Sequence, residues 1–236
     1  MNRTAIVTGG SRGIGRAIVE RLTTDGFDVV FAYAGNAAAA DEVAQLTGAV
    51  GIQADVADET AIATLFAEAE QRFGGVDVVI NSAGIMELGA VAGYDLDAFD
   101  RTMRTNVRGT FVVSQAAANA VRPGGAIINF STTVVKTNLP NYGAYVMSKG
   151  AVEGLTLILA KELAGKDVTV NVVAPGPTAT DLFLTGKSDE LIAHLASLNP
   201  MNRLGQPVDI AEVVAFLAGP ARWVNGQTIY VNGGAA

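Results

Sequence analysis

Short runs of apolar residues alternate along the chain with longer stretches in which apolar positions recur every three or four residues. The first pattern predicts buried strands and the second amphipathic helices. Strands are predicted near 4–8, 28–33, 49–53, 76–81, 125–131, 168–174 and 227–231, and helices near 13–25, 37–47, 59–73, 95–120, 143–164 and 207–218. Asp58 and Asp95 stand where N-caps belong, Pro207 suits a first helical turn, and the alanines at 37–40 read as helix. Apolar strands joined by helical crossovers imply an α/β fold: a parallel sheet covered on both faces, three layers in all. Residues 181–200 interrupt the alternation. Their apolar side (Leu182, Phe183, Leu184, Leu191, Ile192, Leu195, Leu198, with Met201 beyond) is placed to act as a lid spanning about 181–206, and Met86, Val134, Val135 and Leu139 are expected to line the same cleft.

Composition narrows the function classes. The 236 residues are read as a single domain, and 50% apolar against 17% charged residues allows a large core. Twenty-three acids against 16 bases give a net charge of −7, which speaks against nucleic acid or an anionic membrane as partner. There is no cysteine, and no His/Asp/Glu group has ligand spacing, so no metal is expected. Met1-Asn2-Arg3 lead straight into the first strand and no apolar run approaches spanning length, which makes the cytoplasm the expected compartment. His194 reads as a surface residue and Trp223 as a packed one. Two helices are too apolar for burial on one side: Phe99, Met103, Val107, Phe111, Val112 and Val113 on one, Val152, Leu155, Leu157, Ile158, Leu159 and Leu163 on the other. A homodimer or homotetramer built on them is expected.

Candidate chemistry begins at the first strand, which runs into Gly9-Gly10-Ser11-Arg12-Gly13-Ile14-Gly15 and then a helix. Strand, glycine turn and helix in that order form a phosphate-binding element, because backbone N–H groups and the positive helix end converge on the ligand. Further along, Tyr145 and Lys149 lie one helical turn apart, and Thr132 stands thirteen residues before the tyrosine, just past an apolar run. Residues four apart share a helix face, so the Lys149 ammonium is expected beside the Tyr145 phenol, pulling its pKa down from about 10. A phenol, a cation and a hydroxyl at one point suit reduction of C=O or oxidation of CH–OH.

Thr8-Gly-x-x-x-Gly-x-Gly15, Asn81-Ser-Ala-Gly84, Asn106, Thr132, Tyr145-x-x-x-Lys149 and Pro175-Gly176-x-x-x-Thr180 fall in the order and spacing of the short-chain dehydrogenase/reductase family. The chain resembles its compact branch, near enzymes labelled 3-oxoacyl-carrier-protein reductases or glucose dehydrogenase-like reductases. The resemblance implies a Rossmann-type doubly wound sheet. It implies that Tyr145 donates a proton to the substrate oxygen, that Lys149 lowers its pKa and holds a ribose, that Thr132 binds the substrate oxygen, and that Asn106 supports a proton-relaying water. The family usually has serine at Thr132 and a second asparagine at Ser82. Cofactor-binding residues implied are Gly9, Ser11, Arg12, Gly13, Ile14, Gly15, Tyr33, Asp55, Val56, Asn81, Ala83, Gly84, Tyr145, Lys149, Pro175, Gly176, Thr178 and Thr180. No acid stands at the tip of the second strand to hold a ribose 2′-hydroxyl, and Arg12 is available for a 2′-phosphate, so NADP(H) is expected over NAD(H).

The function expected is NADPH-dependent reduction of a small free ketone or aldehyde, with 3-oxoacyl-carrier-protein reductase as the alternative. Docking an acidic carrier calls for exposed bases, yet residues 181–200 offer only Lys187 against Asp181, Asp189 and Glu190, and the turn before the fifth strand adds only Arg122. A non-catalytic nucleotide sensor is less expected, because both Tyr145 and Lys149 are present.

Overall fold

In the computed structural model, which describes residues 2–236, seven strands alternate with helices: β1 (Thr4–Thr8), α1 (Gly13–Thr24), β2 (Asp28–Tyr33), α2 (Ala37–Thr47), β3 (Val50–Gln53), α3 (Glu59–Phe73), β4 (Val76–Asn81), α4 (Leu96–Met103), α5 (Thr110–Ala120), β5 (Val121–Phe130), α6 (Val134–Thr137), α7 (Gly143–Glu162), β6 (Thr169–Pro175), α8 (Asp181–Leu184), α9 (Asp189–Ser197), α10 (Pro207–Ala218) and β7 (Thr228–Val231). The strands form one parallel sheet in the order β3-β2-β1-β4-β5-β6-β7. Alternating side chains feed two cores. Val7, Phe31 and Ile80 pack with Ile18 and Leu22 of α1 and Ile210 and Val214 of α10. Ile6, Val30, Val79 and Ile127 pack on the other face with Leu65 of α3, Val113 of α5 and Leu159 of α7. This is the three-layer parallel fold expected from the strand pattern, doubly wound as the family resemblance implied.

Local signals set the helix ends. Asp58 accepts hydrogen bonds from Thr60 and Ala61 N–H, and Asp95 accepts from Asp97 N–H, so both act as N-caps. Pro207 opens α10. The single helix expected over 95–120 is instead interrupted by a π-helical turn, Arg104–Gly109, between α4 and α5. The reason is tertiary. Asn106 is buried and bonded across to Ile85, while a Cβ on Gly109 would fall 2.5 Å from Val56 Cγ2. The widened turn lets the chain meet both neighbours. The fifth strand also starts earlier than expected, at Val121, because the register against β4 jumps from Val76↔Val121 to Val78↔Ala126 and absorbs the Pro123-Gly124-Gly125 turn.

Trp223 corrects the sequence reading: it is 100% exposed rather than packed. Phe111 (53%), Met147 (61%) and Ile158 (57%) likewise leave an apolar surface on α5 and α7. His194 is exposed as expected. No helix is long and apolar enough to cross a membrane, and no metal-binding group of His, Asp or Glu occurs among the described residues.

Candidate active site

Strand order reverses between β1 and β4, whose following turns therefore meet. Gly9, with φ +70°, packs so closely on the second turn that a Cβ there would lie 3.0 Å from Ala83 Cα. A Cβ on Gly15 would lie 2.1 Å from the Gly9 carbonyl oxygen, so α1 can begin here only with glycine. Asn36, Asp58 and Asp95 cap α2, α3 and α4, but no side chain caps α1, whose first N–H groups are left to the cavity beside Gly13 and Gly15. That cradle has the form an anionic diphosphate requires. The β2 tip continues as Ala34, Gly35 and Asn36 along the cavity wall, with no carboxylate among them, and exposed Arg12 lines the same space.

The cavity, of about 600 Å³, runs from this turn to Thr132, Tyr145 and Lys149. All three are buried, and the Lys149 ammonium lies 5.8 Å from the Tyr145 ring centre while donating to the Phe130 carbonyl at 2.9 Å. The neighbouring hydroxyls point elsewhere: Ser131 donates to Glu153 at 2.6 Å and Thr133 to the Ala174 carbonyl at 3.2 Å. Thr132 alone of the three faces the Tyr145 phenol. The arrangement gathers a proton donor, a hydroxyl and a cation in the cavity that reaches the glycine turn.

Comparison with known proteins bears on the family. Residues 9–236 match a family profile described as enoyl-(acyl carrier protein) reductase. A crystal structure of a short-chain dehydrogenase from Burkholderia cenocepacia J2315 in complex with NADP superposes with a TM-score of 0.93 at 37% identity, covering 99% of this chain and 97% of that one. The chain belongs to the short-chain dehydrogenase/reductase family. NADPH-dependent aldehyde reductase 2, chloroplastic, of Arabidopsis thaliana is 42% identical over 98% of this chain and 93% of its own length. A 3-oxoacyl-[acyl-carrier-protein] reductase of Staphylococcus aureus (strain Mu50 / ATCC 700699) is 40% identical, over 99% and 98%.

Within this short-chain dehydrogenase/reductase, most residues singled out from sequence line the cavity: Gly9, Ser11, Arg12, Gly13, Ile14, Gly15, Tyr33, Asp55, Val56, Ala83, Gly84, Pro175, Gly176, Thr178 and Thr180, with the three around Tyr145. Asn81 and Asn106 do not; they stand behind its wall. Asn81 donates to Asn129 at 2.7 Å and to Ser114, and Asn129 passes the chain of bonds to Thr156, tying β4 and β5 to α5 and α7. Asn106 accepts from Ile85 N–H and donates to Ile85 O and Ser148, which anchors the turn after β4. A Cβ on Gly84 would lie 3.3 Å from Asn106 Oδ1 and 3.4 Å from Lys149 Nζ, so both side chains close in on this turn. Tyr33 tilts on Phe31, ring centres 6.5 Å apart. Leu182, Phe183, Leu195, Leu198, Met86, Val134 and Leu139 line the cavity, whereas Leu184, Leu191, Ile192, Met201 and Val135 do not.

Sequence reasoning missed Arg104 and Tyr142. Arg104 lines the cavity and donates to Asp55 at 2.6 Å, a pairing across 49 positions that no local signal announces. Burial alone would raise Asp55, but the Ala57 N–H and Arg104 outweigh it and hold the carboxyl below its ordinary value. Tyr142, three positions before Tyr145, could have been found by helical spacing.

The electrostatics reverse one expectation. Burial pushes the Tyr145 phenol up to about 12, with Thr132 pulling weakly downward and Tyr142 pushing further up. Burial also lowers Lys149 to about 8. Lost hydration dominates at both groups, and the Tyr145 phenol is raised rather than lowered beside Lys149. The sign for stability follows. Between about 8 and 10.5 the unfolded Lys149 holds a proton that the folded one has released, so its contribution rises with pH and is lost as pH falls toward 8. Above about 10 the unfolded tyrosine ionises while Tyr145 stays neutral, and stability falls again. Guanidinium unfolding of the nucleotide-free protein should show wild type gaining roughly 2 kcal/mol more than Lys149→Met between about pH 7 and pH 10. Equal gains in the two proteins would contradict this burial effect.

Proposed function

We propose that the protein reduces a small, uncharged ketone or aldehyde with NADPH, reversibly. The observation that carries this reading is the continuity of one cavity from the glycine turn to the Thr132–Tyr145–Lys149 cluster. The α1 N-terminus and the Gly9–Gly15 turn would hold the diphosphate, Arg12 the 2′-phosphate, Asp55 and Val56 the adenine, Lys149 the nicotinamide ribose, and Pro175–Thr180 the carboxamide side. When bound, the reduced nicotinamide supplies hydride to the carbonyl carbon. Thr132 donates a hydrogen bond to the carbonyl oxygen and fixes its position. Tyr145, protonated at neutral pH, gives that oxygen its proton. Lys149 then faces a developing phenolate and stabilises it. Asn106 is a positioning residue, acting through the Ile85 turn. Residues from about 181 to 206 form the lid of this single domain, with Leu182, Phe183, Leu195 and Leu198 excluding water from the reacting atoms.

A 3-oxoacyl-carrier-protein reductase is the second reading, supported by the Staphylococcus aureus relative. The acidic bias of residues 181–200 and the net charge of −7 favour a free substrate, since an acidic carrier would be repelled. We also propose a homodimer or homotetramer that covers Phe111, Met147 and Ile158.

With NADPH absorbance followed over a panel of ketones, aldehydes, quinones and 3-oxoacyl thioesters, Tyr145→Phe should lose at least about 10²-fold in turnover. Thr132→Ala should lose turnover and Thr132→Ser should keep it. Wild-type rates in Tyr145→Phe would remove it from the mechanism. NADPH should bind more tightly than NADH, and Arg12→Ala should narrow the gap through weaker NADPH binding; equal wild-type affinities would refute the cofactor assignment. Light scattering at micromolar concentration should give a multiple of 24.2 kDa, and a monomer mass would overturn the assembly.

A further inference from the structure

The substrate side of the cavity carries a phenol that the proposed reaction does not use. Tyr142 lines the cavity, half-buried, with its ring 6.4 Å from that of Tyr145 and inclined at 61°. Among the described residues its hydrogen bonds are made by its backbone alone, from its N–H to the Leu139 carbonyl and to its carbonyl from Val146 N–H. Burial raises the phenol above its ordinary value, so at neutral pH it is a donor. Apolar side chains line the same cavity: Ile85, Met86, Val134, Leu139, Leu182 and Phe183.

The charged groups lining the cavity are accounted for elsewhere. Asp55 and Arg104 pair with each other, Lys149 is bonded to the Phe130 carbonyl, and Arg12 belongs to the glycine turn. The remaining one, Asp181, is an acid and repels anions. Among the described residues that line this cavity, no cation is therefore left free for a carboxylate or phosphate on the substrate. A plain hydrocarbon ketone fits the walls but displaces water from the Tyr142 hydroxyl without replacing its hydrogen bond, which is unfavourable.

We propose that Tyr142 is a specificity-determining residue whose hydroxyl donates to a second oxygen, hydroxyl or carbonyl, on the same uncharged apolar skeleton as the reacting carbonyl. This deepens the carbonyl-reductase reading and rests on it. Diones and hydroxyketones offer such an oxygen, and so does the thioester carbonyl of a 3-oxoacyl group; the chemistry recognised is the same.

The test is calorimetric binding to NADP⁺-loaded protein, using acenaphthenequinone and acenaphthenone, which share one skeleton and differ by one oxygen. Wild type should bind the quinone about tenfold more tightly, the worth of one hydrogen bond in a dry site. In Tyr142→Phe, with an unchanged melting temperature, the ratio should fall close to unity. A wild-type ratio near unity, a ratio that persists in Tyr142→Phe, or no binding of either ketone would overturn the proposal. Acetoacetyl-N-acetylcysteamine, measured alongside, distinguishes the source of the second oxygen. Once the quinone is preferred, weaker thioester binding in Tyr142→Phe supports the proposal for the thioester carbonyl as well, and unchanged thioester binding overturns that extension. Because binding is read without turnover, a wild type that oxidises no NADPH with any carbonyl of the panel would sink the reductase reading, whereas an unchanged binding ratio sinks this inference alone.

Discussion

Everything in the site depends on two adjacent parallel strands whose chains leave in opposite directions. β1 and β4 pair directly, yet α1 packs on one face of the sheet and α5 on the other. The turns after the two strands must separate around a crevice while their backbones stay in contact, which leaves no volume for a side chain at Gly9, and the tight path of the first turn leaves none at Gly15. The glycines are therefore a steric requirement of the fold before they are a binding device. The same absence of side chains is what exposes N–H groups at the start of α1 to an anion.

The second wall of the crevice is built by a set of buried amides and hydroxyls rather than by apolar packing alone. Asn81, Asn129 and Thr156 link two strands to α7, and Asn106 and Ser148 link the π-helical turn to the same helix. Both chains of bonds end on the helix that carries Tyr145 and Lys149. Buried polar networks are costly unless satisfied, and these are satisfied by partners in fixed places, so they hold the helix in one register. The position of the phenol relative to the cleft follows from that register.

Burial then determines the chemistry available. Tyr145 and Lys149 are 8% and 4% exposed, and each is driven toward its uncharged form. A protonated phenol beside an easily deprotonated amine suits proton delivery to a substrate oxygen, while the lysine gains its charge partner only when the phenol gives up its proton. The Ser131–Glu153 contact contributes by keeping the neighbouring hydroxyl turned away, so that a single hydroxyl, that of Thr132, meets the phenol.

The sequence by itself determined the parallel three-layer sheet, the glycine turn and the Tyr145–Lys149 pair, because each rests on local periodicity, a local turn or a fixed spacing. Even the caps at Asp58 and Asp95 are local, their carboxylates reaching N–H groups two or three residues on. Only the tertiary structure decided what arises between distant segments. The break at Arg104–Gly109 comes from Ile85 and Val56 pressing on one helix, and the engagement of Asp55 by Arg104 joins residues 49 apart. Trp223 was read as packed, since an apolar aromatic near a strand gives no sign of which way it faces. The rise of Tyr145 to about 12 was likewise invisible in a helical spacing that brings a cation near. Spacing reports which groups are neighbours along one element, whereas desolvation is set by every element that packs around them.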